Sequence, residues 1–136
     1  MKKFRVLIIG SGFGGQAAAV NLRNRGIQDF LILERRSYMG GAWCQNTYPG
    51  AQVDVQSPLY SFSFEPYPWS RMFAEQAELQ KYTNYVIDKH RLRNKTELNT
   101  NVERVQPIII GTIYNHQKFW PQIIWPKRIK TIGMKR

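Results

Sequence analysis

Two short apolar runs frame the first part of the chain. Residues 4–9 and residues 30–33 are rich in β-branched and large apolar side chains, a pattern typical of strands buried on both faces of a parallel sheet. Between them, residues 16–25 carry the alanines expected of a helix packed closely on a sheet. Gly26 follows, where a left-handed C-terminal cap is expected. The pattern predicts a βαβ unit.

Two later segments show clear periodicity. A helix is predicted over residues 75–90, where apolar side chains recur at helical spacing, at Leu79, Tyr82, Val86 and Ile87. A strand is predicted over residues 60–64, because aromatic residues alternate with serines there. Together with the βαβ start, these elements indicate an α/β fold with a parallel sheet.

Composition narrows the class of protein. The chain has 136 residues with 43% apolar side chains, enough for one packed domain or part of one. A single cysteine, Cys44, excludes an internal disulfide framework, and we interpret it as a packed thiol because no basic cluster surrounds it. No apolar run reaches the roughly 18 residues of a membrane span, and no metal site is predicted.

Charge divides the chain into two parts. The formal net charge is +11, yet residues 105–136 contain no Asp or Glu at all. We therefore predict an incomplete domain over residues 1–104 and a basic, β-rich, irregular tail over residues 105–136, as from a truncated or frame-shifted gene. The basic residues of the tail are scattered before Lys127 and Arg128, so nucleic-acid binding is not favoured.

A glycine motif follows the first predicted strand directly. Gly10, Gly12 and Gly15 form G-x-G-x-x-G ahead of the predicted helix. Such glycines permit a tight turn, close approach of a pyrophosphate and close helix–sheet packing. Glu34 ends the second apolar run about 20 residues later, where a carboxylate accepts hydrogen bonds from a ribose. This order predicts dinucleotide binding; a secretory signal is the disfavoured alternative, because glycines interrupt its apolar stretch.

Residues 38–64 resemble a known family. They match the pattern G-G-T-W-x-x-N-x-Y-P-G-x-x-x-D-x-x-S-x-x-Y at Gly40, Gly41, Trp43, Asn46, Tyr48, Pro49, Gly50, Asp54, Ser57 and Tyr60. This pattern is similar to the N-terminal FAD-binding segment of Baeyer–Villiger and related class B flavin monooxygenases. The resemblance extends from residue 4 to about residue 105. It departs at Ala42, Cys44, Gln45 and Thr47.

The resemblance implies a set of site residues. The expected FAD contacts are Gly10, Gly12, Phe13, Gly14, Gly15, Glu34, Arg35, Gly41, Trp43, Asp54, Tyr60 and Val102. Within this set, Val102 would offer its backbone to the adenine ring, at the end of a strand-like segment over residues 97–102. Asp54 would lie beside the flavin and orient catalytic groups contributed from elsewhere.

The resemblance also implies an activity. NADPH reduces FAD, the reduced flavin forms a C4a-peroxide with O2, and the peroxide oxygenates a small ketone. The NADPH site is expected in a downstream domain absent from this chain, so we expect no turnover from the chain alone. Two alternatives stay open, a non-catalytic FAD or dinucleotide-binding module and one half of a split oxidoreductase. A cytoplasmic location is expected.

Overall fold

The sheet is parallel and has three strands. The computed structural model describes residues 4–105, and its strands are β1 (Val6–Ile9), β2 (Phe30–Leu33) and β3 (Thr96–Glu97) in the order β1-β2-β3. Val6 lies opposite Phe30, and Ile32 lies opposite Thr96. The predicted α/β class and βαβ start are confirmed.

Helix α1 (Phe13–Asn24) joins β1 to β2. It begins three residues before the predicted start, because the amide of Gln16 already donates to the carbonyl oxygen of Gly12 at 2.9 Å. Its end matches the prediction. Gly26 has φ +76°, and the amides of Gly26 and Ile27 donate to Arg23 and Leu22, the paired bonds of a Schellman cap.

Helix α3 (Gln76–Lys89) confirms the helix predicted over residues 75–90. A one-turn helix, α2 (Ala42–Gln45), and a 3₁₀ turn (Arg93–Lys95) complete the described elements. The main core lies between α1, the sheet and α3. It is formed by Ile8, Ala19, Val20, Phe30, Ile32, Met39, Ile87 and Leu92.

The prediction of a strand over residues 60–64 is wrong. The segment is a series of turns and bends, held by bonds such as the amide of Tyr60 to the carbonyl oxygen of Gln56 at 3.1 Å. Its aromatic rings instead pack on one another, with the Phe62 and Phe64 centroids 4.9 Å apart. Period-two spacing therefore reflects an aromatic cluster here, because the segment has no strand partner.

The segment over residues 97–102 is only briefly a strand. β3 pairs with β2 through Thr96 and Glu97, and Asn99 then takes φ +54°, which ends regular pairing. The boundary near Val105 and the tail predicted over residues 105–136 fall at or beyond the edge of the described residues.

Candidate functional site

A cavity of about 330 Å³ lies at the carboxyl ends of β1 and β2. Ligands of open parallel sheets bind at this end of the strands. Six of the residues predicted from the sequence line it, namely Gly10, Gly12, Glu34, Arg35, Gly41 and Val102. The structure thus brings together residues that are more than ninety positions apart in the chain.

The glycine loop is shaped by backbone contacts that exclude side chains. A Cβ atom on Gly15 would lie 2.0 Å from the carbonyl oxygen of Gly10, and one on Gly41 would lie 2.7 Å from Cα of Gly12. Gly10 itself has φ +89°. The loop therefore turns sharply into α1, and the loop before α2 rests directly on it.

The N-terminus of α1 offers donors to a ligand. Its N-cap is Gly12, which supplies no side-chain cap, and its first turn holds no acidic residue. The first amides of a helix lack partners within the helix, and their dipoles favour an anion. Because Gly12 also lines the cavity, this end of α1 fits the pyrophosphate of a dinucleotide.

Glu34 is a buried carboxylate at the end of β2, with 5% of its surface exposed. Its Oε2 accepts from the Ser11 hydroxyl at 2.6 Å and from the Ser11 amide at 2.9 Å. Its Oε1 accepts from the Arg36 amide at 3.0 Å. Burial alone raises the pKa of Glu34, but these hydrogen bonds and the Arg36 charge outweigh it and lower the pKa.

The chemistry of this donor and acceptor set suits the adenosine diphosphate part of a dinucleotide. The uncapped helix end provides donors for phosphates, and the ionised Glu34 retains acceptor capacity for ribose hydroxyls. Because Gly12 and Gly41 carry no side chains, their backbones lie directly against each other where they line the cavity.

Three predicted aromatic residues lie in a cluster beside the cavity and do not line it. The Phe13 ring lies 5.3 Å from the Tyr60 ring and 4.9 Å from the Phe62 ring, between centroids. Trp43 Nε1 donates to the Tyr60 hydroxyl at 3.0 Å. These contacts tie α1, α2 and the 60–64 segment together.

The remaining predicted residues are placed differently. Gly14 lies in the first turn of α1 with open space at its Cβ position, and Gly15 packs against the end of β1. Asp54 is exposed and is not among the residues that line the cavity. The described residues therefore do not bring Asp54 to the adenosine end of the site.

Sequence reasoning missed several cavity residues, namely Ser11, Ala42, Gln45, Thr100 and Asn101. Ser11 occupies a variable position of the G-x-G-x-x-G motif, so the motif itself gives it no weight. Thr100 arrives through backbone pairing, since its amide donates to the carbonyl oxygen of Glu34 at 2.8 Å. The available signal was a polar side chain, Ser11, in the loop between the first predicted strand and the predicted helix.

Residues 4–105 hold neither a candidate membrane span nor a candidate metal site. They contain no helix that is long and apolar enough to cross a bilayer. In the same part of the chain, no three His, Cys, Asp or Glu side chains are grouped as a metal site requires.

The fold and the cavity define a class of protein. The model of the NAD(P)-binding Rossmann-like domain family matches residues 8–77, about half of the chain, and the chain belongs to this family. A Baeyer–Villiger monooxygenase of Pseudomonas aeruginosa is 49% identical over 102 residues, which cover 74% of this chain and 19% of that protein. The chain thus spans about a fifth of that relative's length.

Solved structures agree with this relationship. An oxidised steroid monooxygenase bound to NADP superposes with a TM-score of 0.72 and 34% identity, over 77% of this chain and 21% of that one. The complex of OTEMO with FAD and NADP gives a TM-score of 0.71 and 28% identity, over 79% and 21%. The resemblance to Baeyer–Villiger monooxygenases is confirmed.

Proposed function

We propose that residues 1–104 form the FAD-binding part of an NADPH-dependent monooxygenase that oxygenates ketones in the Baeyer–Villiger manner. The observation that carries the proposal is Glu34, a buried and hydrogen-bonded carboxylate beside the uncapped end of α1. The similarity to named Baeyer–Villiger monooxygenases selects FAD among the dinucleotides. Bound FAD would supply hydride acceptance from NADPH and activation of O2.

Different residues around the cavity are proposed to contact different parts of FAD. The turn at Gly10 and Gly12 and the first turn of α1, with Phe13, Gly14 and Gly15, would hold the pyrophosphate. Glu34 and Arg35 would contact the adenosine ribose, and Val102 would meet the adenine ring.

The flavin end is proposed for the opposite side of the Gly12–Gly41 contact. Gly41, Trp43 and Tyr60 would face it, because the Trp43–Tyr60 pair lies on the α2 side of the glycine loop. Asp54 is proposed to orient groups that reach the flavin from a further part of the enzyme. Its exposure leaves its carboxylate accessible to such groups.

The proposed reaction needs more than the described residues offer. NADPH would bind a second dinucleotide site, and no second strand–glycine loop–helix unit occurs within residues 4–105. We therefore expect the 136-residue chain to bind FAD without oxygenating ketones by itself. Since the reaction consumes NADPH and O2, we propose a cytoplasmic location.

Titration of the purified chain with FAD tests the proposal, with flavin fluorescence and retained yellow colour as readouts. FMN, which lacks the adenosine half, is the matched probe. We expect FAD to bind and FMN to bind far more weakly, because FMN lacks the adenosine half that is proposed to occupy the cavity. Equal binding of FMN, or binding of NAD⁺ with no binding of FAD, would reject the flavoprotein proposal and favour a plain dinucleotide-binding module.

Turnover is measured separately. NADPH oxidation and ester formation from cyclohexanone are followed with the FAD-loaded chain. We expect neither reaction. Ketone-dependent NADPH oxidation by the isolated chain would show that residues 1–136 hold a complete active site.

A further inference from the structure

Ser11 connects three segments of the site. It is fully buried, and both its hydroxyl and its amide donate to Oε2 of Glu34, at 2.6 and 2.9 Å. Its hydroxyl oxygen also accepts from the Gly40 amide at 3.3 Å. One side chain therefore joins the glycine loop, the end of β2 and the loop that leads into α2.

These contacts decide which way the Glu34 carboxylate faces. Oε2 is occupied by the two Ser11 donors, whereas Oε1 has one backbone donor, the Arg36 amide at 3.0 Å. A carboxylate accepts about four hydrogen bonds in all. The free acceptor capacity is therefore greater at Oε1, and Glu34 as a whole lines the cavity.

The charged groups around Glu34 affect whether the site accepts a nucleotide with a ribose 2′-phosphate. Arg36 directs its guanidinium to the Tyr38 ring, 5.8 Å from the centroid, with a bond to the Tyr38 hydroxyl at 3.3 Å. Arg35 lines the cavity. On β3, the carbonyl oxygen of Glu97 accepts from the Glu34 amide, and the Glu97 residue is exposed. A fixed carboxylate repels a ribose 2′-phosphate, whereas a free arginine attracts one.

We propose that Ser11 is a positioning residue that fixes Glu34 as an acceptor for an unphosphorylated adenosine ribose. A carboxylate at this position of a dinucleotide fold generally accepts from the ribose hydroxyls of FAD or NAD⁺ and disfavours the 2′-phosphate of NADP⁺, and Ser11 is the residue that holds it in place. This inference rests on the proposed dinucleotide site and adds a residue outside the glycine positions of the motif. The Ser11 hydroxyl acts through Glu34 and contacts no reacting atom.

A second buried serine provides a matched control. Ser57 is also fully buried, and its hydroxyl bridges the Met72 carbonyl oxygen at 3.0 Å and the Ala74 amide at 2.8 Å. It makes the same kind of structural bridge in a part of the fold that does not line the cavity. Ser57→Ala therefore reports the cost of losing such a bridge without touching Glu34.

The experiment measures FAD affinity between pH 3 and pH 7, a range that includes the lowered pKa of Glu34. The proteins compared are the wild type, Ser11→Ala, Ser57→Ala, Glu34→Gln and the Ser11→Ala/Glu34→Gln double variant. We expect Ser11→Ala to weaken FAD binding about tenfold, the effect of one hydrogen bond to a charged group. Affinity should also fall at a higher pH than in the wild type, since the pKa of Glu34 rises when a donor is lost.

Ser57→Ala should lower thermal stability and leave the pH midpoint of binding unchanged. In the Glu34→Gln background, Ser11→Ala should add little, because the carboxylate it positions is gone. A folded Ser11→Ala variant with wild-type affinity and an unchanged pH midpoint would overturn the role of Ser11 and leave FAD binding intact.

Nucleotide choice separates the two proposals. We expect the wild type to bind NAD⁺ more tightly than NADP⁺, and tighter NADP⁺ binding would overturn the selection by Glu34 in favour of Arg35. If the wild type binds NAD⁺ and no FAD, the proposed flavoprotein function fails while Ser11 is tested on NAD⁺ by the same variants. A folded wild type that binds neither FAD nor NAD⁺ overturns both.

Discussion

The hydroxyl of Tyr82 joins the amide of Phe62 to the carbonyl oxygen of Glu65. It accepts from the Phe62 amide at 2.8 Å and donates to the Glu65 carbonyl at 2.9 Å, and the tyrosine is fully buried in α3. One phenol thus makes two hydrogen bonds between α3 and a segment that has no strand pairing. This segment carries the Phe62 ring that packs on Phe13 next to the glycine loop.

Tyr82→Phe should therefore destabilise the protein. The substitution keeps the ring but leaves the Phe62 amide and the Glu65 carbonyl without this partner, at a cost of about 1–3 kcal/mol for unsatisfied buried groups. Urea denaturation gives the free energy of unfolding. Tyr38→Phe is the control, because Tyr38 is exposed and its hydroxyl accepts one exposed hydrogen bond from Arg36 at 3.3 Å. Equal losses in the two variants would contradict the bridging role of Tyr82.

Because of Glu65, the free energy of unfolding should fall as the pH is lowered into the acidic range. Its buried carboxylate accepts from Lys89 Nζ at 2.7 Å, Tyr85 at 3.0 Å and His90 Nε2 at 3.0 Å. Burial raises the pKa of Glu65, but these hydrogen bonds outweigh it and hold the pKa below its ordinary value. The stabilisation is then complete above the unfolded-state pKa and disappears as the pH falls through the lower folded-state pKa.

Urea midpoints measured from pH 7 down to pH 3 test this dependence. The wild type should lose more stability over this range than Glu65→Gln, which has no carboxylate to protonate at this position. Asp88→Asn serves as the comparison. The pKa of Asp88 is also lowered, by a hydrogen bond from Arg93, but both side chains are more than half exposed. Solvent screening should make its effect small, and a larger effect than that of Glu65→Gln would refute the assignment.

Gly41→Ala should be more damaging than Gly26→Ala. Both glycines have positive φ, +65° and +76°, so both substitutions incur backbone strain of about 1–2 kcal/mol. At Gly26 a Cβ meets nothing within 4 Å, whereas at Gly41 it would lie 2.7 Å from Cα of Gly12. We expect about 1–3 kcal/mol of additional destabilisation at Gly41, from the forced shift.

Differential scanning calorimetry of both glycine variants measures this difference. Nucleotide binding should weaken in Gly41→Ala as well, because the displaced loop lines the cavity. Gly26 lies at the far end of α1, so the Gly26→Ala variant should bind nucleotide as the wild type does. Similar stability of the two variants would show that the Gly12–Gly41 contact yields easily.

Cys44 should react slowly in the folded protein. Burial raises the pKa of its thiol, against the smaller opposing effects of the Arg93 charge and a hydrogen bond with Gln80. Because the thiolate is the reactive form, modification by a disulfide reagent at pH 7 should be slower than that of free cysteine and should accelerate in urea. As the chain has one cysteine, absorbance reports this thiol alone. A native rate at or above that of free cysteine would disprove this.

The βαβ unit could be predicted because its signals are local. Gly26 ends α1 through backbone conformation, and the apolar runs at 4–9 and 30–33 need only be buried to form strands. The helix over residues 76–89 likewise follows from its own periodicity. The alternation over residues 60–64 misled because a strand also requires a neighbouring edge, and only tertiary structure provides one.

The sequence by itself determined the βαβ unit, the helix over residues 76–89, the glycine loop and the acid that ends β2, since each depends on residues close together in the chain. Tertiary structure decided the partners. It placed Ser11 under Glu34, Gly41 against Gly12 and Tyr82 on the 62–65 segment. Those contacts join positions 17 to 29 residues apart through packing and hydrogen bonds, and no local pattern encodes which buried donor meets which acceptor.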